Sequence, residues 1–220
     1  MNELSLPARA YLLACDTGRN RLPDRERVAL LVRAAALTDL VLRGRVADDG
    51  GRPVVSGAGG TGHLVLDDLL AELAADTHRK WRARVRRGAR GTLHSLEAQL
   101  DAAGVISLRT SRVLGLFPRR RPEVRDVATA AALHEQVMAA ARSDAPVPPD
   151  VAALTSLAAA VELRSVLRRG ERRRHRDRLA RLEEQTGAAV PALRKVIREL
   201  QAARAASIAA ASGGGGGGGG

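Results

Sequence analysis

Residues 24–45 read DRERVALLVRAAALTDLVLRGR, and their reading decides the fold. From Val28 to Leu42 the run is apolar nearly all round, interrupted only by Arg33, Thr38 and Asp39. A helix that is apolar on every side cannot lie on a surface, so it belongs at the centre of a bundle. Asp24 stands where an N-cap is needed, and Glu26 puts negative charge in the first turn. A helix from Asp24 to about Leu42 is therefore expected.

Arg33 is out of place in such a helix. A buried charge costs several kcal/mol unless it is paired. The nearest acid within the helix, Asp39, is six residues away and lies on another face. Three arrangements remain open: a distant acid pairs with Arg33, its head snorkels out, or a ligand anion occupies its fork, which suits phosphate bidentately. Arg90 is a candidate second ligand, because it opens a helix carrying Leu93, Leu96 and Leu100, and helix N-termini favour anions.

Working outward, Leu4 to Asp16 reads as a short helix stopped by the turn cluster Asp16-Thr17-Gly18-Arg19-Asn20. Downstream, Asp48-Asp49-Gly50-Gly51 between Val46 and Val54-Val55 is a hairpin signal. A glycine-rich loop, Gly57 to Gly62, leads into a helix from Leu64 to Ala75. Gly104 ends the Leu93–Leu100 helix in a C′ position. Val105–Leu108 and Arg112–Phe117 read as two more short strands, closed by Pro118 and Pro122. Helices are expected over Asp126–Arg142, Asp150–Arg169, Glu171–Gln185 and Val190 to about Ala210. The fold class is thus mainly α, a central helix bundle surrounded by shorter helices with two short β-hairpins. A single domain over 1–212 is expected, with residues 213–220, eight glycines, as a disordered tail.

Composition supports this. The chain has 220 residues, 45% of them apolar, yet only one Trp, one Tyr and one Phe. A core of Leu, Val and Ala argues against a β-sandwich or barrel. One cysteine, Cys15, excludes an internal disulfide framework and a multi-cysteine zinc site. No apolar run is long enough to span a membrane, and Met1-Asn2-Glu3 does not open a signal peptide. A cytoplasmic protein is expected. The five histidines lack metal-ligand spacing, and Gly57-Ala58-Gly59-Gly60-Thr61-Gly62 lacks the lysine of a nucleotide-binding loop. The expectation is of a non-enzyme with no metal and no cofactor.

The net charge is +12, and two blocks hold the excess. Residues 79–90 carry seven positive charges and no acid. Residues 168–181 carry eight arginines against Glu171 and Asp177. Such a field points to an anionic partner, either a membrane surface or nucleic acid. The bland alternative is arginine-rich codon usage filling solvated helix faces. Readers of single strands interleave aromatics with basic residues, which this chain does not. Val113-Leu114-Gly115-Leu116-Phe117, bracketed by Arg109, Arg112 and Arg119-Arg120-Arg121, forms an apolar finger rimmed by arginines. Val113, Leu114, Leu116 and Phe117 could enter a bilayer interface while guanidinium groups meet headgroup phosphates. Packing of the same finger on its own core or on a second subunit is the alternative.

Several segments recur in one order: Leu4-Ser5-Leu6 with Tyr11-Leu12-Leu13, Leu40-Val41-Leu42-Arg43-Gly44-Arg45-Val46, Thr61-Gly62 with Leu66-Asp67-Asp68-Leu69-Leu70, Gly104-Val105-Ile106, and Leu114-Gly115-Leu116-Phe117-Pro118. Through them the chain resembles the Golgi phosphoprotein 3 family, in its actinobacterial form, over roughly residues 3–205. The resemblance implies a mainly helical fold and a peripheral membrane protein that binds phosphatidylinositol 4-phosphate, or another anionic lipid headgroup, at a basic pocket. It implies a hydrophobic hairpin, here residues 109–120, that inserts in the bilayer or mediates self-association. It also implies an adaptor role, since eukaryotic members sit on the cytosolic face of the Golgi membrane and hold glycosyltransferases by their cytoplasmic tails. Carried over by position, the pocket's first arginine falls on Arg33, the next two basic positions on Arg90 and Leu93, and its tryptophan near Asp24. Two of these positions therefore depart from the family pattern. Arg84 and Arg87 are candidates to supply the missing basic group. Trp81 matches a tryptophan expected to be structural. The reading from another class is a basic nucleic-acid-binding protein.

Overall fold

The computed structural model describes residues 4–113 and 117–213, with side chains outside 110–120 and 210–213. The chain begins with α1 (Leu6–Ala14) and α2 (Arg25–Leu42). A first hairpin, β1 (Val46–Asp49) and β2 (Arg52–Val55), is followed by α3 (Leu64–Ala75), α4 (Trp81–Arg86) and α5 (Ala89–Ala102). A second hairpin, β3 (Ile106–Val113) and β4 (Phe117–Val124), leads to α6 (Val127–Arg142), α7 (Pro149–Ala160), α8 (Arg169–Arg174), α9 (Arg176–Glu184) and α10 (Ala189–Gly213).

Helix α2 is the axis of the molecule. Every residue from Val28 to Leu40 is buried, Arg33, Thr38 and Asp39 included. Helices α1, α3, α4, α5, α7 and α10 all pack on it, as a helix apolar on every side requires. The start is capped as expected: Asp24 Oδ1 accepts from the Arg27 amide at 3.1 Å. The end is the Leu42-Arg43-Gly44-Arg45 segment. Gly44 takes φ +65°, and the Arg45 amide returns to the Leu40 carbonyl at 2.8 Å. That is a glycine-terminated helix stop, and it turns the chain into β1.

Buried polar groups lock α2 to its neighbours. Asp39 accepts from the Leu6 amide at 2.8 Å and from Arg43 Nε at 2.5 Å, so one carboxylate caps α1 and closes the last turn of α2. Glu97 of α5, fully buried, accepts from both Nη atoms of Arg25 (2.9 and 2.7 Å) and from the Tyr11 hydroxyl at 3.1 Å. The bidentate pairing satisfies a carboxylate that would otherwise be costly to bury. Trp81 is buried and donates its indole N–H to Asp48, pinning α4 to the first hairpin. Its structural role matches the expectation.

Three elements differ from the sequence reading. The helix expected over Asp150–Arg169 stops at Ala160, because Glu162 adopts φ +53° and the chain leaves the helical path. The helix expected over Glu171–Gln185 is broken at His175 into α8 and α9. In the second hairpin the return strand runs through Pro118 and Pro122 to Val124 rather than ending at Phe117. A two-stranded sheet has an edge along each strand, and prolines are tolerated where the missing N–H faces outward. The first hairpin and the helices over 64–75 and 126–142 stand as expected. Residues 214–220 of the glycine run lie outside the described residues.

Candidate functional site

The basic block 79–90 forms α4 and the turn into α5, and it divides into buried and exposed members. Arg84 is its buried arginine, at 1% exposure, and it lies beside Arg33 of α2, at 2%. Arg33 Nε donates to the Arg84 carbonyl at 3.0 Å, Nη1 to Thr92 Oγ1 at 2.9 Å, and Nη2 to Glu72 Oε1 at 2.6 Å. Of the three arrangements open from sequence, pairing with a distant acid is the one found. One guanidinium thus joins α2 to α3, α4 and α5.

Arg84 shares the same carboxylate. Its Nη1 lies 3.6 Å from Glu72 Oε1, and its Nη2 lies 3.5 Å from Asp76 Oδ1. Among the described residues, buried Arg84 Nη2 and Nε both lack a hydrogen-bond partner. Burial lowers the basicity of Arg84, while the Asp76 and Glu72 charges oppose that shift. Asp76 is held below the ordinary carboxylate range, first by the hydrogen bond from Arg79 and further by the Arg84 charge.

Gly88 makes this packing possible. It takes φ +73°, a left-handed conformation that side chains disfavour. A Cβ there would stand 3.3 Å from Arg33 Nη1, so the chain passes flush over the guanidinium. Gly88 and Gly91 separate two cavities at the head of α5. One, of about 220 Å³, is lined by Arg33, Glu72 and Thr92. The other, of about 370 Å³, lies between α2, α5 and α10 and is lined by Arg86, Arg90, Glu26 and Glu199 with apolar groups such as Leu30 and Leu200.

Arg90 and Arg87 are exposed. Among the described residues no carboxylate lies within 4 Å of Lys80, Arg87 or Arg90, whereas Arg82 and Arg86 share Glu199 at 2.8 and 3.3 Å. Arg33 and Arg84 are therefore brought together, Arg90 lines the neighbouring cavity, and Arg87 lies on the exposed turn before Gly88. Leu93 is buried in the core. Glu72, Asp76 and Thr92 escaped the sequence reading. Asp68 and Glu72 share a face of α3 and Asp76 stands at its C-cap, a pattern common to exposed acids that does not single out Glu72.

The second hairpin is anchored at its base, where Ile106 and Val124 are buried. Arg109 and Glu123 pair across the strands at 2.6 Å. Val113 and Phe117 pair as the last backbone partners of the ladder. The side chains of Val113 and Phe117, and Leu114 and Leu116 altogether, lie outside the described residues. Among the described residues no helix is long and apolar enough to cross a membrane.

A helical bundle built around one buried helix, with a basic turn and a long two-stranded arm, is the class these observations define. The sequence model of the family described as Golgi phosphoprotein 3 (GPP34) matches residues 6–200. The chain belongs to that family. No curated protein matches it.

Proposed function

We propose that this chain is a peripheral membrane protein that binds anionic lipid headgroups, of the phosphatidylinositol 4-phosphate kind, through the turn between α4 and α5. The observation that carries the reading is the pair Arg87 and Arg90, exposed and, among the described residues, without a carboxylate within 4 Å at the head of a 14-residue helix, with Lys80 likewise exposed and unpaired by an acid at the N-cap of α4. Elsewhere in the block the charge is spent internally, since Arg79, Arg82, Arg84 and Arg86 all face carboxylates. The positive end of α5 adds to the attraction for a phosphate. In this reading Arg87 and Arg90 make the first contacts. Arg33 and Arg84 reach a phosphate only by exchange with the Glu72 carboxylate, which occupies their donors. Membership of the Golgi phosphoprotein 3 family is consistent with this reading. The hairpin residues Val113, Leu114, Leu116 and Phe117 supply an apolar anchor, and cytoplasmic tails of membrane proteins are the clients of such an adaptor.

Liposome flotation tests the proposal. The chain should float with vesicles containing phosphatidylinositol 4-phosphate and not with neutral vesicles. Binding should weaken with salt, because exposed charges are screened over about 8 Å at physiological ionic strength. The double variant Arg87→Glu, Arg90→Glu should lose most of the binding, and Leu116→Asp should lose the salt-resistant part. Flotation unchanged in the double variant, or binding to duplex DNA with a steep salt slope and no lipid preference, would refute it.

A further inference from the structure

A different face of α2 opens on another cavity. Asp24, Arg27, Val28 and Leu31 line it from α2, and Val161 to Ser165 line it from the connection after α7. Its volume is about 400 Å³, within the range of sites for small organic molecules. The wall is apolar, with Val28, Leu31 and Leu163 among its residues. Two arginines, Arg27 and Arg164, and two acids, Asp24 and Glu162, also line it.

Among the described residues one guanidinium stands within 4 Å of Glu162. Arg172 of α8 lies 3.7 Å from Glu162 and is largely buried. Burial depresses its basicity; the Glu162 charge opposes this, while Arg164, Arg169 and Arg27 press it further down. The acids present are already engaged. Asp24 accepts from Arg204 at 2.7 and 3.2 Å, and Glu162 accepts from Gln201 at 3.0 Å. Arg164 and Arg169 are exposed, and among the described residues neither has a carboxylate within 4 Å. Arg27 Nη1 donates to the Val161 carbonyl at 3.1 Å, yet its buried Nε has no hydrogen-bond partner and lies 3.6 Å from Asp24 Oδ2.

The backbone at the mouth is unusual as well. The Leu163 amide returns to the Ala158 carbonyl at 3.0 Å and the Glu162 amide to Ala159 at 3.1 Å. That is the stop used after α2, but here Glu162 holds the left-handed position that Gly44 holds there. A side chain kept against this conformational cost marks a site whose geometry is fixed by other contacts.

We propose that this cavity binds a soluble phosphate monoester with a short apolar body. The body lies against Val28, Leu31 and Leu163, and the head is held by Arg27 and Arg164. A guanidinium fork matches phosphate oxygens, and with Asp24 engaged by Arg204 and Glu162 by Arg172 and Gln201, Arg164 is left without a carboxylate within 4 Å among the described residues. The site shares no residue with the proposed headgroup site, so the two stand or fall separately.

An amide-resolved NMR titration of the full chain with octyl phosphate, below its micelle concentration, tests this. Saturable shifts should appear at Glu162 to Ser165. Affinity should fall about tenfold in Arg27→Gln and in Arg164→Glu, the size expected for loss of a charged hydrogen bond, and stay unchanged in Arg90→Glu. Inorganic phosphate and octanol should each bind more weakly by a similar factor. No saturable shifts, equal affinity in Arg164→Glu, or inorganic phosphate as tight as octyl phosphate would overturn the assignment. Arg164 is exposed, so its variant decides even where Arg27→Gln disturbs the fold.

Discussion

Arg33, in the middle of the α2 run from Val28 to Leu40, every residue of which is buried, donates to Glu72 at 2.6 Å. The two partners are unequal, because Arg33 is 2% exposed while the Glu72 side chain is 35% exposed. Removing each should therefore cost differently. Glu72→Ala strands two buried guanidinium groups, Arg33 and Arg84, with Asp76 as the remaining acid. Arg33→Met replaces one buried charge by an apolar chain of similar length and leaves Glu72 in reach of water and of Arg84. Removing one side of a buried pair costs about 3–5 kcal/mol where it leaves an uncompensated buried charge, which Glu72→Ala does and Arg33→Met, with the Glu72 side chain 35% exposed, does not. Glu72→Ala is expected to lower the urea midpoint markedly, and Arg33→Met much less. The reverse order would show that Arg33 is not held by this carboxylate.

Gly88 offers a sharper probe of the same contact. Alanine there meets two penalties, the left-handed backbone and a Cβ 3.3 Å from Arg33 Nη1. The backbone term alone is about 1–2 kcal/mol. Gly91, on the same turn, has open space where its Cβ would be and a negative φ. Gly91→Ala should be neutral or slightly stabilising in a helix, where alanine is favoured. Chemical denaturation of the two variants side by side should separate them by at least ~1 kcal/mol.

The central helix was legible from residues 24–45 because an all-round apolar run has only one place to go. The Asp24 cap and the Trp81 role followed from local or family pattern. The partner of Arg33 was not legible. Glu72 lies 39 residues away, and nothing local distinguishes it from any exposed acid on an amphipathic helix. The shortening of α7 was hidden for a different reason: Glu162 stands where a glycine would have announced the stop. Arg87 and Arg90 could be named as basic, but only the fold separates them from Arg84, three residues before Arg87, which turns inward. The apolar finger was read from residues whose side chains lie outside those described.

Two buried acids with raised pKa set the alkaline limit of stability. Burial pushes the Cys15 thiol up to about 12, with the Glu97 charge adding to it. Burial also pushes the Tyr11 hydroxyl well above its ordinary value, with Cys15 and Glu97 adding. For a raised pKa the contribution is complete below the unfolded-state value and is lost as pH climbs towards the folded one. Stability should therefore be flat up to about pH 9 and fall above it, at roughly 1.4 kcal/mol per pH unit for each proton involved. Cys15→Ala should remove one proton from that slope between about pH 9 and 10, before the tyrosine joins. Denaturant midpoints measured from pH 7 to 11 check this, and a Cys15→Ala profile parallel to the parent would contradict it. Thiol-reactive dyes should also label Cys15 slowly at neutral pH, since burial keeps it protonated and out of reach.

Besides its packing on α2, helix α10 is tied to the start of α2 by Arg204, 180 positions from Asp24. Arg204 meets Asp24 at 2.7 Å and Glu26 at 2.8 Å, with side-chain exposures of 41%, 30% and 45%. The Arg204 hydrogen bond is the leading cause of the depressed pKa of Asp24, which also caps α2. A depressed carboxylate contributes stability above its unfolded pKa and loses it as pH falls through the folded one. Exposure on this scale keeps the pair to about 1 kcal/mol or less. Arg204→Ala should therefore destabilise modestly at pH 7, and the gap from the parent should close as pH drops below about 4, where Asp24 begins to protonate in the unfolded chain. High salt should narrow the same gap. A gap that persists at pH 2 would mean that Arg204 acts through the packing of its aliphatic stem on α2 rather than through its charge.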